Sequence, residues 1–357
     1  MAMKSKAAVS VAQGFPLAID DLDLPDPAPT HVVIKQFATG VCHSQLHQIL
    51  RSEGHRPMVL GHESTGWVEA VGRDVQGLKE GDRVMLTWVR KAVALGQPDP
   101  TPWAVTFRGK PVRHGDNAPT GVFSWAEHII ADEQYVVKLP DDVAMDVTAP
   151  VGCAVMTGCG AVINSARVRL GESVAVIGAG GVGLCAIQAA ANMGAYPLIA
   201  VDLTDEKLAF AKQFGATHFV NASKGDAVQG IKDLSGGGVD YAFDAIGIGK
   251  TTEQIMAAVR PGINGYRDGG MAILVGVPHG AAPVLDMFDI FRGKVFRGAP
   301  GGSCRPERDL PMFVRWYQEG RLPLDTLITR RYKLDQINEA CQALLDGEIS
   351  GRAIVEF

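Results

Sequence analysis

The pattern of apolar and polar positions changes near residue 150. Before that point, short apolar stretches alternate with glycines and polar turns: HVVIKQFATG (31–40), STGWVEAVG (64–72) and GDRVMLTWV (81–89). This pattern predicts a compact, largely antiparallel β unit. After it, apolar runs alternate with helical patterns: SVAVIG (173–178), YPLIAVD (196–202), THFVN (217–221), VDYAFDAIG (239–247) and GMAILVGV (270–277). Strands that alternate with helices predict a doubly wound parallel α/β sheet.

The alternation ends after Arg297. The segments 309–320 and 334–348 have the pattern of amphipathic helices, and GRAIVEF (351–357) has that of a closing strand. We expect this tail to return to the first domain. The predicted domains are therefore a discontinuous one, 1–153 with 300–357, and a continuous one, 154–299. Residues 90–120 are rich in Pro and Gly and predict a long surface lobe.

Composition narrows the class of protein. The 357 residues suffice for two domains, and the net charge of −5 gives no support to binding of nucleic acid or an anionic membrane surface, neither of which we expect as a partner. No apolar run reaches about 18 residues, so no membrane span is predicted. The first 20 residues lack the apolar core of a signal peptide, and the six cysteines include no CxxC pair. We expect a cytoplasmic protein without a disulfide framework.

Residues 173–183, SVAVIGAGGVG, predict a buried strand, a tight turn and the start of a helix. Gly178 allows the sharp turn, Gly180 lets the backbone approach a pyrophosphate, and Gly183 lets the helix pack against the sheet. The first N–H groups of a helix also attract phosphate. The alternative is an ordinary strand–helix turn, but the flanking pattern favours dinucleotide binding.

Asp202 indicates which dinucleotide. It closes the run LIAVD, nineteen residues beyond Gly183. A carboxylate there accepts hydrogen bonds from a ribose 2′-hydroxyl and repels a 2′-phosphate. The next residues, 203–206, are Leu, Thr, Asp and Glu, with no arginine among them. We therefore predict NAD rather than NADP as the cofactor.

Cys42, His62 and Cys153 are candidate metal ligands. Two thiolates and one imidazole form a good set for Zn²⁺, and three protein ligands leave a fourth position for water or substrate, as in catalytic zinc sites. A single cysteine is more often an inert buried side chain, and a single histidine is more often structural. Spacing alone does not decide between these interpretations.

These motifs together resemble the zinc-dependent alcohol dehydrogenases of the medium-chain dehydrogenase/reductase (MDR) superfamily. GxCxSxxH is present in residues 40–47, GHE in 61–63, GC…TG in 152–158, GAGGVG in 178–183, VGVP in 275–278 and GRAIVEF in 351–357. The similarity runs from about residue 30 to the end, with the motifs in family order. It implies a GroES-like, mostly β catalytic domain followed by a Rossmann coenzyme domain.

The resemblance also implies roles. Cys42, His62 and Cys153 would bind the catalytic zinc, with Glu63 behind the metal. Zinc would act as a Lewis acid on an alcohol that is oxidised reversibly to an aldehyde or ketone by hydride transfer to NAD. Ser44 and His47 would relay the alcohol proton to solvent; the alternative is a capped, solvated turn. The expected catalytic residues are Ser44, His47, Glu63 and Thr157. The expected cofactor-binding residues are His43, Gly178, Gly180, Gly181, Val182, Gly183, Asp202, Lys207, Val275, Val277 and Arg352.

Their expected contacts differ. The resemblance places Thr157 against the nicotinamide, Lys207 at the ribose, and His43 and Arg352 at the pyrophosphate. A plain surface lysine is the alternative for Lys207.

The lobe at 90–120 departs from the family. Most relatives carry four closely spaced cysteines there for a structural zinc, whereas this lobe contains none. His114 and Asp116 cannot complete a four-ligand site. We expect one catalytic zinc per chain, no structural zinc, and a lobe held by packing through Trp103 and Phe107.

Two further departures concern the active site. Gln45 replaces the acidic residue that orients the zinc-binding histidine in the family; its amide oxygen is expected to accept the histidine N–H, with a smaller gain in ligand basicity. Trp88 and Trp125 occupy positions that line the substrate pocket in the family. If they do so here, a hydrophobic or benzylic alcohol is favoured over a polyol; the alternative is that they are core residues.

Two other functions remain possible from the residues. One is a zinc-free MDR reductase of activated double bonds, against which retention of Cys42, His62 and Cys153 argues. The other is a nucleotide-binding protein without turnover. The cofactor could also be one that never leaves the protein. We expect a small-molecule substrate and a homodimer or homotetramer, paired through the segment from GMAILVGV (270–277) to VLDMF (284–288).

Overall fold

The computed structural model describes residues 3–51, 56–91, 98–114, 121–263 and 265–357. The strands are β1 (Met3–Ser10), β2 (Ala18–Leu24), β3 (His31–Val41), β4 (Met58–Val59), β5 (Ser64–Val71), β6 (Arg83–Leu86), β7 (Thr106–Phe107), β8 (Lys110–Pro111), β9 (Arg113–His114), β10 (His128–Asp132), β11 (Val136–Lys138), β12 (Val174–Ile177), β13 (Leu198–Asp202), β14 (His218–Asn221), β15 (Tyr241–Asp244), β16 (Met271–Leu274), β17 (Val295–Gly298), β18 (Ile328–Lys333) and β19 (Arg352–Glu356).

The α-helices are α1 (His43–Leu50), α2 (Met145–Thr148), α3 (Ala154–Gly160), α4 (Gly181–Asn192), α5 (Asp205–Lys212), α6 (Ala227–Ser235), α7 (Gly249–Ala258), α8 (Met287–Phe291), α9 (Pro306–Gln318), α10 (Leu324–Leu327) and α11 (Ile337–Leu345). Residues Ala161–Ala166 form a π-helix directly after α3. Short 3-10 helices lie at Glu133–Tyr135, Ala149–Gly152, Pro300–Ser303 and Leu334–Gln336.

The chain forms two compact units. Unit 1 contains residues 1–153, 305–318 and 324–357, and unit 2 contains residues 154–304 and 319–323. The C-terminal part of the chain thus returns to the N-terminal unit.

Unit 1 is built on two sheets. One has the strand order β8-β7-β2-β1-β4-β9, and the other has the order β11-β6-β5-β3-β19-β18, with β10 also paired to β3. Most neighbouring strands are antiparallel, and β4–β9 and β18–β19 are parallel pairs. In β3 nearly every side chain is buried, because the strand lies inside the larger sheet and is packed on both faces. The long central strand thus provides a rigid base for the residues that follow it, Cys42 and α1.

Unit 2 is a parallel sheet of order β14-β13-β12-β15-β16-β17, in which every described neighbouring pair is parallel. The side chains of β12 are all buried, as expected of a central strand covered by helices on both faces. The order of connections reverses beside β12, the position at which doubly wound sheets bind ligands.

Within the described residues, no single helix is both long and apolar enough to cross a membrane. Two consecutive helical segments with a bend between them, Met145–Gly152 and Ala154–Ala166, are together long and apolar enough by length and composition alone.

Candidate active site

Three local structures bring the predicted metal ligands together in unit 1. Cys42 lies between β3 and α1, His62 precedes β5, and Cys153 follows the 3-10 turn Ala149–Gly152. Gly152 permits this approach, since a Cβ there would lie 2.0 Å from the carbonyl oxygen of Leu86.

The ligand atoms of the three residues fit a zinc ion. Together with Glu63 they are buried, and their ligand atoms all lie within 4.8 Å of one another. His62 Nε2 lies 3.1 Å from Cys153 Sγ, so this nitrogen faces the thiols. Two sulfurs and one nitrogen at this spacing match the donor set of a tetrahedral catalytic zinc site.

The surroundings of Cys42 favour its thiolate. A hydrogen bond from Cys153 is the largest influence that holds the pKa of Cys42 well below its usual range; Arg352 and His62 contribute, and burial opposes them. Because the thiolate is the form that binds metals, this site is prepared for a cation.

Glu63 and Arg352 form a buried ion pair beside these ligands. Glu63 is 0% exposed, Arg352 is 6% exposed, and Arg352 Nη2 contacts Glu63 Oε1. Gly40 leaves space for the carboxylate, because a Cβ there would lie 2.3 Å from Glu63 Oε1. Sequence reasoning assigned separate roles to the two residues and missed their pairing, since no local pattern relates positions so far apart in the chain.

Gln45 connects the first turn of α1 to His62. Its Oε1 accepts the backbone N–H of Cys42 at 3.0 Å, and its Nε2 lies 2.6 Å from Nδ1 of His62. The structure therefore differs from the expectation that the amide oxygen would face the imidazole. The oxygen is occupied by the backbone of Cys42, a contact that the sequence pattern does not reveal.

The predicted relay residues lie on α1. Ser44 Oγ donates to Cys42 Sγ at 3.4 Å, which places the hydroxyl beside the metal ligands. Ser44 and His47 are half-buried, whereas His43 is exposed, and the rings of His43 and His47 are 6.3 Å apart. A partly buried hydroxyl and imidazole on one short helix are consistent with the relay, which stays a prediction.

The two candidate pocket tryptophans have different environments. Trp88 is 38% exposed, and its ring meets the ring of His62 edge-on at 6.4 Å. Trp125 is 1% exposed, packs in an apolar cluster with Leu46 and Leu60, and donates its indole N–H to the carbonyl of Gly40 at 3.1 Å. The structure thus makes Trp125 a core residue and leaves Trp88 as the candidate pocket wall.

The described part of the lobe is joined to the smaller sheet of unit 1 through β7, β8 and β9. Trp103 and Phe107 are 7% and 4% exposed and belong to the apolar core of this unit. Trp103 donates to the carbonyl of Gly121 at 2.7 Å and packs edge-on against Phe123. His114 is part of β9. Asp116 lies outside the described residues.

The glycine turn of unit 2 has the backbone that a dinucleotide requires. Gly178 has φ +98°, and a Cβ on Gly183 would lie 1.8 Å from the carbonyl oxygen of Gly178, so both positions require glycine. Gly180 faces open space, where the backbone can approach a ligand. Gly181 and Val182 are the first residues of α4, whose N-cap makes no side-chain hydrogen bond.

Asp202 and Lys207 flank the next turn. Asp202 ends β13, and its Oδ2 accepts the N–H of Ala179 at 2.8 Å, so the carboxylate lies against the glycine turn. Lys207 lies in the first turn of α5 and donates its backbone N–H to Thr204 Oγ1 at 3.4 Å. Both residues are half-buried, and their contacts with a ribose stay a prediction.

The remaining predicted cofactor residues also belong to unit 2. Val275 donates its N–H to the carbonyl of Asp244 directly after β16, and Val277, two residues on, is 53% exposed. Thr157 in α3 is 7% exposed, and its buried Oγ1 has no hydrogen-bond partner among the described residues. A buried hydroxyl without a partner fits a polar ligand group, because such a group otherwise costs free energy.

Comparison with known proteins supports this description. The family described as "Alcohol dehydrogenase GroES-like domain" matches residues 28–141, and that described as "Zinc-binding dehydrogenase" matches residues 181–319. The chain is 34% identical to "Alcohol dehydrogenase class-3" of Cereibacter sphaeroides, over 99% of this chain and 100% of the relative. It is 34% identical to "Geraniol dehydrogenase" of Castellaniella defragrans, over 97% and 96% of the two chains.

A solved structure agrees with these matches. Benzyl alcohol dehydrogenase from Acinetobacter calcoaceticus superimposes with a TM-score of 0.87 and 30% identity, over 99% of each chain. The chain belongs to the zinc-dependent alcohol dehydrogenases of the MDR superfamily. The predicted fold class, a GroES-like domain with a Rossmann coenzyme domain, and the oxidoreductase class acting on CH–OH groups are confirmed.

Proposed function

We propose that this protein oxidises a hydrophobic or aromatic alcohol to its aldehyde or ketone, reversibly, with NAD and one catalytic zinc per chain. The observation that carries the proposal is the buried set Cys42, His62 and Cys153, with ligand atoms within 4.8 Å of one another. Retention of this set argues against a zinc-free reductase.

The residues of unit 1 would hold and serve the metal. Cys42, His62 and Cys153 would bind zinc, which supplies Lewis-acid polarisation of the alcohol oxygen when bound. Ser44, beside Cys42 Sγ, takes the substrate proton, and His47 on the same helix passes it to solvent. The Glu63–Arg352 ion pair holds one negative and one positive charge in place beside the metal ligands.

The residues of unit 2 would hold NAD, which accepts the hydride. Gly180 leaves room for the pyrophosphate beside the first N–H groups of α4. Asp202 accepts hydrogen bonds from the ribose hydroxyls and excludes a 2′-phosphate. The buried hydroxyl of Thr157 meets the nicotinamide, and Lys207 contacts the ribose. We keep residues 154–299 as the proposed limits of this domain.

Trp88 supports the substrate class. A partly exposed indole whose ring meets that of His62 presents an aromatic surface next to the metal ligands. Aromatic and apolar substrate groups pack well on such a face. Two relatives carry names of this kind, geraniol dehydrogenase and benzyl alcohol dehydrogenase. Others are named S-(hydroxymethyl)glutathione dehydrogenase, so this compound belongs in the substrate comparison.

The absence of a structural zinc is also a proposal. Residues 90–120 contain no cysteine, and the lobe has an apolar core around Trp103 instead. We also propose a cytoplasmic protein, in agreement with six cysteines that form no disulfide.

A homodimer or homotetramer is supported by the exposed edge of the parallel sheet. The segment GMAILVGV forms β16, which pairs with both β15 and β17, so the expectation that it is an edge strand is wrong. Among the described strands β17 is the terminal one on that side, and large apolar side chains nearby in the sequence are exposed: Val284 (83%), Met287 (72%), Phe288 (61%), Phe291 (82%) and Val295 (41%). An edge strand that has no further partner strand among the described residues, with apolar surface next to it, favours pairing with a second copy.

Elemental analysis combined with turnover tests the function. Purified protein is assayed for zinc and for NAD reduction with benzyl alcohol, before and after chelation, and with readded zinc. We expect one zinc per chain and activity that is lost and restored with the metal. Two zinc ions would contradict the proposed stoichiometry. Activity that persists without zinc would indicate a zinc-free reductase of activated double bonds. Bound zinc without turnover of any alcohol would indicate a nucleotide-binding protein that is not an enzyme.

A further inference from the structure

Gln45 contacts two groups of the proposed zinc site, and it is 1% exposed. Its Oε1 accepts the N–H of Cys42, and its Nε2 lies 2.6 Å from Nδ1 of His62. A side-chain amide has one oxygen that accepts and one nitrogen that only donates. At this depth each contact must be satisfied by the protein itself.

The metal-bound form of His62 conflicts with this arrangement. Nε2 of His62 faces Cys153 Sγ at 3.1 Å and is therefore the nitrogen that would bind the metal. A ligating nitrogen offers its lone pair, so the ring proton must lie on Nδ1. That N–H would then point at the NH₂ group of Gln45, and two donors would face each other.

Reversing the amide does not remove the conflict. With Oε1 beside His62, the Nδ1–H is accepted, but the NH₂ group then faces the N–H of Cys42. One donor is left unmatched in either orientation of Gln45. In the metal-free protein the orientation with Nε2 of Gln45 beside His62 is satisfied when Nδ1 of His62 accepts from the amide and its Nε2 carries the ring proton.

We propose that Gln45 is a positioning residue that weakens zinc binding, by stabilising the His62 tautomer that cannot bind the metal. The inference rests on the zinc site proposed above. A carboxylate at position 45 has two acceptor oxygens and can match the N–H groups of both Cys42 and His62. Hydrogen-bond partners of ligating histidines change metal affinity by about 10- to 100-fold.

Zinc affinity tests the inference. Chelator competition is used to measure the zinc dissociation constant of the wild type, Gln45→Glu and Gln48→Glu. Gln48 lies on the same helix and is half-buried, so its variant controls for an added charge. We expect Gln45→Glu to bind zinc at least about 10-fold more tightly than the wild type, and Gln48→Glu to bind it as the wild type does.

The tautomer of His62 gives a second readout that does not depend on activity. In ¹⁵N-histidine NMR spectra, assigned with His62→Gln, the metal-free wild type should carry its ring proton on Nε2, and metal-free Gln45→Glu should carry it on Nδ1. This wild-type measurement decides the matter even if Gln45→Glu does not fold.

Two results would overturn the inference. One is that Gln45→Glu binds zinc no more tightly than the wild type does. The other is that His62 of the metal-free wild type carries its ring proton on Nδ1 alone. The Cys42→Ser variant identifies a different failure. If Cys42→Ser binds zinc as tightly as the wild type does, the proposed zinc site is wrong, and so is the role of Gln45.

Discussion

Arg352 in β19 contacts Glu63, the residue after His62, inside unit 1, and solvent reaches neither charge freely. Replacing Arg352 by Gln removes the guanidinium charge that faces the buried Glu63 carboxylate. Removal of one member of a buried ion pair costs about 3–5 kcal/mol. We expect this loss in the free energy of unfolding, measured by urea denaturation.

The double variant is the control for this pair. Glu63→Gln with Arg352→Gln leaves no isolated charge, so it should be more stable than Arg352→Gln alone. Equal stability of the single and double variants would show that the two charges do not interact energetically.

Asp202→Asn should weaken the preference for NAD. The carboxylate accepts the N–H groups of both Ala179 and Leu203, and an amide oxygen can accept only one of them, so the turn loses one hydrogen bond together with the charge that repels a 2′-phosphate. We expect the ratio of kcat/KM for NAD to that for NADP to fall about 10-fold or more. Asp205→Asn, which alters an exposed acid paired with Lys224, should leave this ratio unchanged. A similar fall in both variants would mean that total charge, rather than Asp202, sets the preference.

Trp88→Ala should reduce activity selectively. Loss of the indole removes an aromatic surface next to His62. We expect kcat/KM for benzyl alcohol to fall about 10-fold, and that for ethanol to change much less. Trp67→Ala is the matched control, since Trp67 in β5 packs edge-on against Phe37 in β3. Equal losses for both alcohols, or a sugar alcohol that turns over faster than benzyl alcohol, would contradict an aromatic substrate pocket.

Trp103→Ala should destabilise the lobe without changing zinc content. The substitution removes a buried ring and its hydrogen bond to Gly121, at a cost of about 3–5 kcal/mol in the free energy of unfolding. Trp103→Phe retains most of the packing and should cost about 1 kcal/mol. Unfolding experiments and elemental analysis on the same samples check both parts. A lower zinc content in either variant would reveal a metal site in the lobe.

Ionisation of Asp82 should make the free energy of unfolding depend on pH. Burial opposes ionisation, but hydrogen bonds with Lys138 and Lys79 lower the pKa of Asp82 to about 2. Since this lies below its ordinary value of 3.8, the carboxylate stabilises the fold above that value, and the contribution is lost as the pH falls toward 2.

Asp82→Asn measures this contribution. We expect it to cost about 2 kcal/mol at about pH 6 and less at about pH 3, as judged by urea unfolding of both proteins at each pH. A difference that stays constant between the two values would rule out titration of Asp82 in this range.

Local sequence patterns were sufficient to predict part of this structure. Alternating apolar runs predicted the parallel sheet, and the glycine spacing predicted a turn that the φ of Gly178 now explains. Motif order predicted the candidate metal ligands, because each motif contains its ligand locally, and the structure brings the three side chains together.

Other features depend on tertiary contacts. A tryptophan in a loop sequence can line a pocket or lie in a core. Only the packing around Trp125 shows that this residue lies in the core. Likewise, the orientation of the Gln45 amide follows from two simultaneous contacts, with Cys42 and His62, that no spacing rule contains.

The position of β19 between β3 and β18 has a consequence for biosynthesis. The central sheet of unit 1 cannot be completed until the ribosome has passed through all of unit 2, whose strands are contiguous in the chain. During translation the dinucleotide-binding sheet can therefore form first, while β3 still has an open hydrogen-bonding edge. In the same interval Arg352 has not yet been synthesised, so the positive charge that contacts Glu63 beside the metal ligands is added only when this last segment is translated.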